Sequence, residues 1–552
     1  MSRHRTATDQ PSSEWTSITP SSSDAPEPNA IDSRTLWIAF AGFVVLTLLL
    51  AMNHVMWRDE VRAFSVAIHS PSWAQLVRDL HTEGHPIVWY AVLRIAYGIT
   101  HSVLVLPIVA LAFGVAAAYI VLRYAPFPIW ERLLIVFGAF LAYQFSVLAR
   151  NYGVAIMLMM LACVLFSKRD QRPLGLGLTL VVMANTSVHA AVAALVLAFL
   201  WSLDFFDPAR RAALLRPGSL ASLALILIGV VIAIVSARPS PDMAYAASLD
   251  SMSAGKVLRK ILKDPGASLA GSSNADVAAV GDLPWARLGI NPAWVSRVYV
   301  DIAMVWLAWS LRKNWKALIT MVVAIVAFSV LFRNVYTPGL RHEGLLAFLF
   351  ISLCWIASND GESASGSRRI AHGLIPLLIT QALTLVVLIR RPFVHPESSA
   401  RAYASFIESK PAYRNAILMS EPDFMMETMP YYVNNPVYMP RQREFHYRVY
   451  WDRGPRRQQD MSLGELVNIA DSVGCATDRP VLLAIMYRRV VTDTAGSALL
   501  AYKPAIFHWD QADRALLMSR AKRVMSFLDA VDENYYIFEF PVRKTPACRT
   551  TG

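Results

Sequence analysis

What most constrains this chain is a succession of apolar runs, each close to the length that crosses a lipid bilayer. The first, residues 35–53, is long enough as a helix rising 1.5 Å per residue to traverse a hydrocarbon core of about 30 Å. Further runs near 102–122, 131–149, 151–167, 173–186, 188–203, 218–236, 293–311, 316–333, 341–357 and 371–389 bring the expected spans to eleven. With 55% hydrophobic and 17% charged residues, the chain is too apolar for an ordinary soluble protein. The expected class is a polytopic α-helical membrane protein.

A net charge of +12 raises the question of nucleic acid. The basic residues form no continuous patch with interleaved aromatics, so nucleic acid is not an expected partner. They sit instead in short loops between apolar runs, which is how orientation is encoded in membranes. With the N-terminus cytoplasmic, Arg123, Arg132, the Lys168–Arg172 loop, Arg210, Arg211, Arg216, the Arg312–Lys316 loop and Arg368-Arg369 all fall inside. The weak link is 173–203, which as one tilted helix would reverse every later loop and leave Asn185–His189 in lipid. Two short segments keep the basic loops inside and are the expected arrangement.

Residues 1–34, rich in Ser, Thr and Pro, read as a disordered cytoplasmic tail, so the first apolar run is expected to stay as an anchor. Residues 54–101 form an external loop region with amphipathic helices around Val61–His69 and Trp73–His81. Its apolar run Ile87–Ile99, interrupted by Arg94, is short enough to be interfacial or re-entrant. After a second external loop at 237–292 and the last span, residues 392–552 leave the membrane pattern. Helix-like Ala400–Ser409, strand-like Ala416–Met419, helix-like Leu463–Val473 and strand-like Pro480–Met486 alternate there, predicting a C-terminal extracytoplasmic α/β domain. Cys163 and Cys354 fall in apolar runs as small hydrophobes, whereas Cys475 and Cys548 are available for a disulfide outside the cytoplasm. No zinc spacing, Walker-type phosphate loop or dinucleotide fingerprint is present.

This topology gathers the polar motifs on the external face: Trp57-Arg58-Asp59-Glu60, His81–Pro86, Ala149-Arg150-Asn151-Tyr152, Asn185–His189 and Arg333–His342. Asp59 and Glu60 read either as solvated carboxylates paired with Arg58 and Arg62, or as a general base and its partner. In the second reading, partial burial raises a carboxylate toward working pH. His81, Glu83 and His85 read as the cap of the next helix or as ligands for a phosphate, a sugar or a divalent metal. Arg150 and Tyr152 suit interfacial anchoring or substrate binding, and Arg341-His342 repeats the theme at another outer mouth. Arginines on the outer face run against the orientation bias, and an anionic headgroup would stabilise them there.

Trp57–Arg62, then Gly84-His85-Pro86-Ile87-Val88-Trp89-Tyr90, then Ala149–Tyr152 resembles the GT-C superfamily of membrane glycosyltransferases. The likeness is to bacterial enzymes similar to protein O-mannosyltransferases and lipid A aminoarabinose transferase, and it covers residues 35–390 in layout. It implies transfer of a sugar from a polyprenyl-phosphate donor to a lipid, glycan or protein acceptor at the outer face of a bacterial inner membrane. It further implies Asp59 as base and Glu60 as its partner, with Arg150 and Arg341 on the donor phosphate. Arg58, Tyr152 and His342 are further candidates for substrate, and His85 stands where some relatives carry a lysine. The competing class is a transporter or flippase of lipid-linked glycan, which would place ionisable groups along a path through the membrane midplane.

Overall fold

The computed structural model describes residues 32–238, 292–334, 339–360, 363–451, 457–499 and 506–542. The N-terminal tail before Asp32, nearly all of the 237–292 loop and Cys548 lie outside them. The first helix, α1 (Ser33–Asn53), starts where the Asp32 carboxylate accepts the Thr35 N–H. Two amphipathic helices, α2 (Arg58–His69) and α3 (Trp73–Leu80), and the shorter α4 (Val88–Thr100) follow. Next come α5 (Val105–Tyr124), α6 (Ile129–Val136), α7 (Tyr152–Phe166), α8 (Pro173–Ala184), α9 (Val188–Ser202), α10 (Pro208–Leu214) and α11 (Pro217–Ala237). The second half of the bundle contains α12 (Pro292–Leu311), α13 (Trp315–Asn334), α14 (Leu340–Asn359), α15 (Ala364–His372) and α16 (Ile375–Leu388).

Among the described residues, seven helices are long and apolar enough to cross a membrane: α1, α5, Val188–Phe206, α11, Trp315–Phe332, α14 and Ile375–Val394. Their outward faces are consistent with a membrane-embedded protein. On α11, for example, Ile228, Val231, Ile232 and Val235 are each more than half exposed, a surface that water-soluble monomers avoid. These helices account for seven of the eleven expected spans. Of the other expected spans, α7 and α8 are shorter apolar helices of 15 and 12 residues, and α12 is a helix of 20 residues.

The span expected over 131–149 is not one helix. It breaks after α6, forms a π-turn at Phe140–Gln144, and runs irregularly to Arg150. Its backbone groups find side-chain partners inside the bundle. Gln381 Oε1 accepts the Phe140 N–H at 3.1 Å, and Ser146 Oγ donates to the Leu141 carbonyl at 2.6 Å. Irregular backbone survives at such depth only when protein satisfies it.

Segment 173–203 is two helices, α8 and α9, packed on one another and separated at Asn185–Ser187. Asn185 Nδ2 donates to the Val181 carbonyl, and Ser187 Oγ caps α9 by accepting the Ala190 N–H. The loops segregate to opposite ends of the helices. Arg169 joins Asp204 (2.7 Å) and Asp360 (2.8 Å), and Lys316 joins Asp204 (2.8 Å) and Asp207 (3.0 Å). Arg150, His189 and Arg341 lie at the other ends of α7, α9 and α14, with Asp59 paired to both arginines, and Asn151 Nδ2 ties the α7 entry to the Thr186 carbonyl there. A twenty-residue helix such as α14 covers about 30 Å, so a hydrocarbon thickness separates the two groups.

Among its described residues the C-terminal region carries nine strands: β1 (Ile417–Glu421), β2 (Tyr438–Met439), β3 (Glu444–Phe445), β4 (Asp460–Ser462), β5 (Val481–Ile485), β6 (Gly496–Leu499), β7 (Ile506–Trp509), β8 (Lys522–Phe527) and β9 (Tyr535–Phe540). The main sheet has the order β1-β5-β9-β8, with β1 parallel to β5 and the other pairs antiparallel. Its two faces feed separate cores. Leu418, Leu482 and Ile537 meet helix Ala400–Ser409, and Ile417, Leu483 and Phe538 meet helix Leu463–Thr477. Cys475 is disulfide-bonded, whereas Cys163 and Cys354 are buried free thiols.

This region is latched to α2 and α3 by charge. Arg58 Nη2 meets Asp532 (2.9 Å), Arg62 Nη1 meets Glu427 (2.5 Å), and Arg448 Nη2 meets Asp79 (2.7 Å).

Gly114 of α5 shows how tightly the irregular segment is held, because a Cβ there would stand 2.8 Å from Ser146 Cα. Gly114→Ala is expected to cost about 1–3 kcal/mol by overpacking. The melting temperature of the detergent-solubilised protein would fall; an unchanged melt would show that the segment yields freely.

Candidate functional site

The site is built where α2 begins. Its first turn carries Arg58, Asp59 and Glu60, and helical geometry sends adjacent side chains in different directions. Glu60 turns inward and has no exposed surface. Its Oε2 accepts from His54 Nε2 (2.8 Å) and the Trp57 N–H (3.3 Å), and its Oε1 accepts the Ala149 N–H (2.5 Å). Glu60 therefore ties the end of α1, the start of α2 and the irregular segment into one corner. The sequence reading made it the partner of a base, but the structure places its carboxylate in a structural knot.

Asp59 turns outward, with its side chain 29% exposed. Its Oδ2 is shared by Arg150 Nη1 (3.3 Å) and Arg341 Nη2 (3.2 Å), while Oδ1 lies 3.7 Å from Arg58 Nε. Arg150 also donates to the Asp59 carbonyl at 2.5 Å, and the Arg341 guanidinium stands 5.8 Å from the centre of the Trp57 ring. Burial by itself raises Asp59, but Arg150, Arg341, Arg58 and His85 together outweigh it and hold the carboxyl at about 2. The expectation that burial lifts this carboxylate toward working pH is thus reversed. Three guanidiniums keep it ionised and weakly basic.

His85 belongs to the same group. Burial, then the fields of Arg150, His189 and Arg341, lower it to about 3, so its ring is neutral across the physiological range. Its Nδ1 is buried with no hydrogen-bond partner among the described residues, as is Trp57 Nε1. Deeper in, Tyr152 OH and His342 Nε2 lie 2.8 Å apart. His342 Nδ1 accepts the Gly339 N–H at 2.8 Å, which makes Nε2 the donor to Tyr152 in the neutral ring. His189 stacks on His342 with centroids 4.4 Å apart. Tyr152 and His342 thus floor the site rather than anchor it at an interface.

The remaining sequence candidates separate. Glu83 pairs with Arg62 (2.7 Å), His81 is exposed at the end of α3, and Arg94 donates to the carbonyls of Ala67 and Ser70. The Arg333 side chain and residues 335–338 lie outside the described part. Among the described residues no group of three or more His, Cys, Asp or Glu is arranged to hold a metal ion, and the guanidiniums around Asp59 oppose a cation there. Sequence reasoning missed His54, whose only signal was its place between the first span and Glu60. His189 was visible only as the end of the polar Asn185–His189 stretch, and nothing there signals its stacking on His342. Comparison with protein-family models finds no match, and neither does comparison with curated proteins.

His54 supplies a pH test of the corner. Burial lowers it, but the charge of Glu60 prevails and raises it above 6.5. The stabilisation is therefore fully present below the unfolded value of about 6.5 and is lost as pH rises through the higher folded value. The melting-temperature gap between wild type and His54→Gln should narrow over that rise; a constant gap would mean that the pair is not ionic. Glu60→Ala, which removes a buried partner, is expected to cost about 3–5 kcal/mol.

Proposed function

We propose that this chain is a GT-C-type glycosyltransferase that moves a sugar from a polyprenyl-phosphate donor to an acceptor hydroxyl of a lipid, glycan or protein. In this reading the protein sits in a bacterial inner membrane, with the Asp59 end of the bundle and the C-terminal region on the extracytoplasmic face. The supporting observation is the sharing of one carboxylate oxygen between Arg150 and Arg341, at 3.3 and 3.2 Å. Two guanidiniums converging beside a half-open carboxylate match the two needs of the reaction, a base for the acceptor and cations for the leaving phosphate.

In the transfer, the acceptor oxygen bonds to the anomeric carbon as the bond from that carbon to the phosphate oxygen breaks. The polyprenyl phosphate leaves with the electron pair, and the hydroxyl proton passes to Asp59. A phosphate drawing Arg150 and Arg341 away from Asp59 also weakens the field that keeps the carboxyl near 2. Donor binding then makes Asp59 a stronger base at the moment it is needed. His85, neutral and with an unpaired Nδ1, suits a sugar hydroxyl better than a phosphate charge. The flippase reading draws less support, because the buried ionisable groups described above cluster at helix ends.

Labelled sugar transfer from purified polyprenyl-phosphate donors in membranes tests this. Asp59→Asn should lose about 10²–10⁴-fold in rate in protein that remains folded and membrane-inserted, and Arg150→Gln about 10²–10³-fold. Glu60→Gln should lower the melting temperature first. Full activity in Asp59→Asn would sink the assignment. With wild type, the acid limb of kcat should lie at higher pH than that of kcat/KM, since only kcat reports the donor-bound protein.

A further inference from the structure

At the opposite end of the bundle, beside the loop that leads to Lys316, a cavity of about 470 Å³ opens between α12 and α15. Trp306 and Trp309 line one wall, and Ser365, Arg368, Arg369 and His372 line the other. None of its described lining residues is acidic. The frame is set by direct bonds: Trp306 Nε1 donates to the His372 carbonyl (3.0 Å), and Arg369 Nε donates to the Ser310 carbonyl (3.0 Å). At Gly373 a Cβ would come within 2.7 Å of Ser310, so the helices can approach this closely only without a side chain there. The indoles stack at 5.7 Å, and Arg312 lies 3.8 Å over the Trp309 ring.

We infer that this cavity is a binding site for the phosphate headgroup of an anionic membrane lipid. It stands apart from the Asp59 site and does not depend on the transferase reading. Arg368 is exposed at the cavity and makes no ion pair among the described residues. With Arg369 on the same wall it offers guanidinium N–H groups of the kind that take phosphate oxygens in pairs. The volume falls in the range of small-molecule sites, about 300–1,000 Å³. The lipid source follows from what lies along α12. Ile302 and Val305 are 61% and 71% exposed there, an apolar track leading to two tryptophans of the kind that mark a membrane interface. An acyl chain on that track places its phosphate between the indoles and the arginines, and basic pockets between membrane helices hold anionic headgroups in this way.

The test uses the full chain in a neutral detergent, titrated calorimetrically with dihexanoyl phosphatidylglycerol, dihexanoyl phosphatidylcholine and inorganic phosphate. The glycerol lipid should bind at least tenfold more tightly than either of the others. Arg368→Gln should weaken it about tenfold without moving the melting temperature, because that side chain holds no packing bond in the frame. Arg123→Gln, an exposed arginine outside the cavity, should leave binding unchanged. No binding by wild type, equal binding by Arg368→Gln, or equal loss in Arg123→Gln would each overturn the site. Inorganic phosphate binding as tightly as the lipid would overturn the lipid as its source.

Discussion

A carboxylate taken wholly out of water must have its oxygens satisfied, or it costs several kcal/mol. Glu60 meets that demand with three donors from three parts of the chain: His54 at the end of α1, Trp57 ahead of α2, and Ala149 in the irregular segment. The direction of its neighbour follows from this. With Glu60 pinned inward, the next residue back along the helix looks toward Arg150, which sits one residue beyond Ala149. The same carboxylate that closes the corner therefore sets the spacing between Asp59 and its guanidiniums.

A second constraint comes from outside the bundle. The N–H of Arg58 donates to Glu533 Oε1 at 2.9 Å, and its side chain reaches Asp532. Burial pushes Glu533 up to about 7, and Ser398, Thr428 and Tyr535 hydroxyls bond to the same group. The positive end of α2 is thus met by acidic residues of the C-terminal region. Arg62, clamped between Glu427 and Glu83, fixes the other side of the helix. α2 is held from both directions, so the Asp59 site has a rigid base although it lies at a junction.

Much of this was legible in the residues. Apolar runs located the long helices, and counting them put Asp59, Arg150 and Arg341 at one end of the bundle, which the structure brings within bonding distance. The 131–149 run misled because apolarity reports burial rather than regularity. Phe140, Leu141 and Phe145 are as buried in a π-turn and its exit as they would be in a helix. The roles of Asp59 and Glu60 could not be separated from their adjacency, since that depends on which way the helix faces. The depressed basicity of Asp59 was hidden for a related reason. It depends on Arg150 and Arg341 converging from distant segments, and no local pattern records that they share an oxygen. In the C-terminal region, β1 and β5 are buried on both faces, so a plain apolar run rather than an alternation announced them.

The broken segment also orders events in time. The Phe140 N–H waits for Gln381, 241 residues further along the chain. At a synthesis rate of about 5–20 residues per second, that partner emerges roughly ten to fifty seconds later. During that interval the segment cannot adopt its final path in hydrocarbon without leaving an amide bare. The corner that holds Arg150 is therefore completed late, after α16 has been made, and a nascent chain truncated before it would carry Asp59 and Arg150 without the architecture that aligns them.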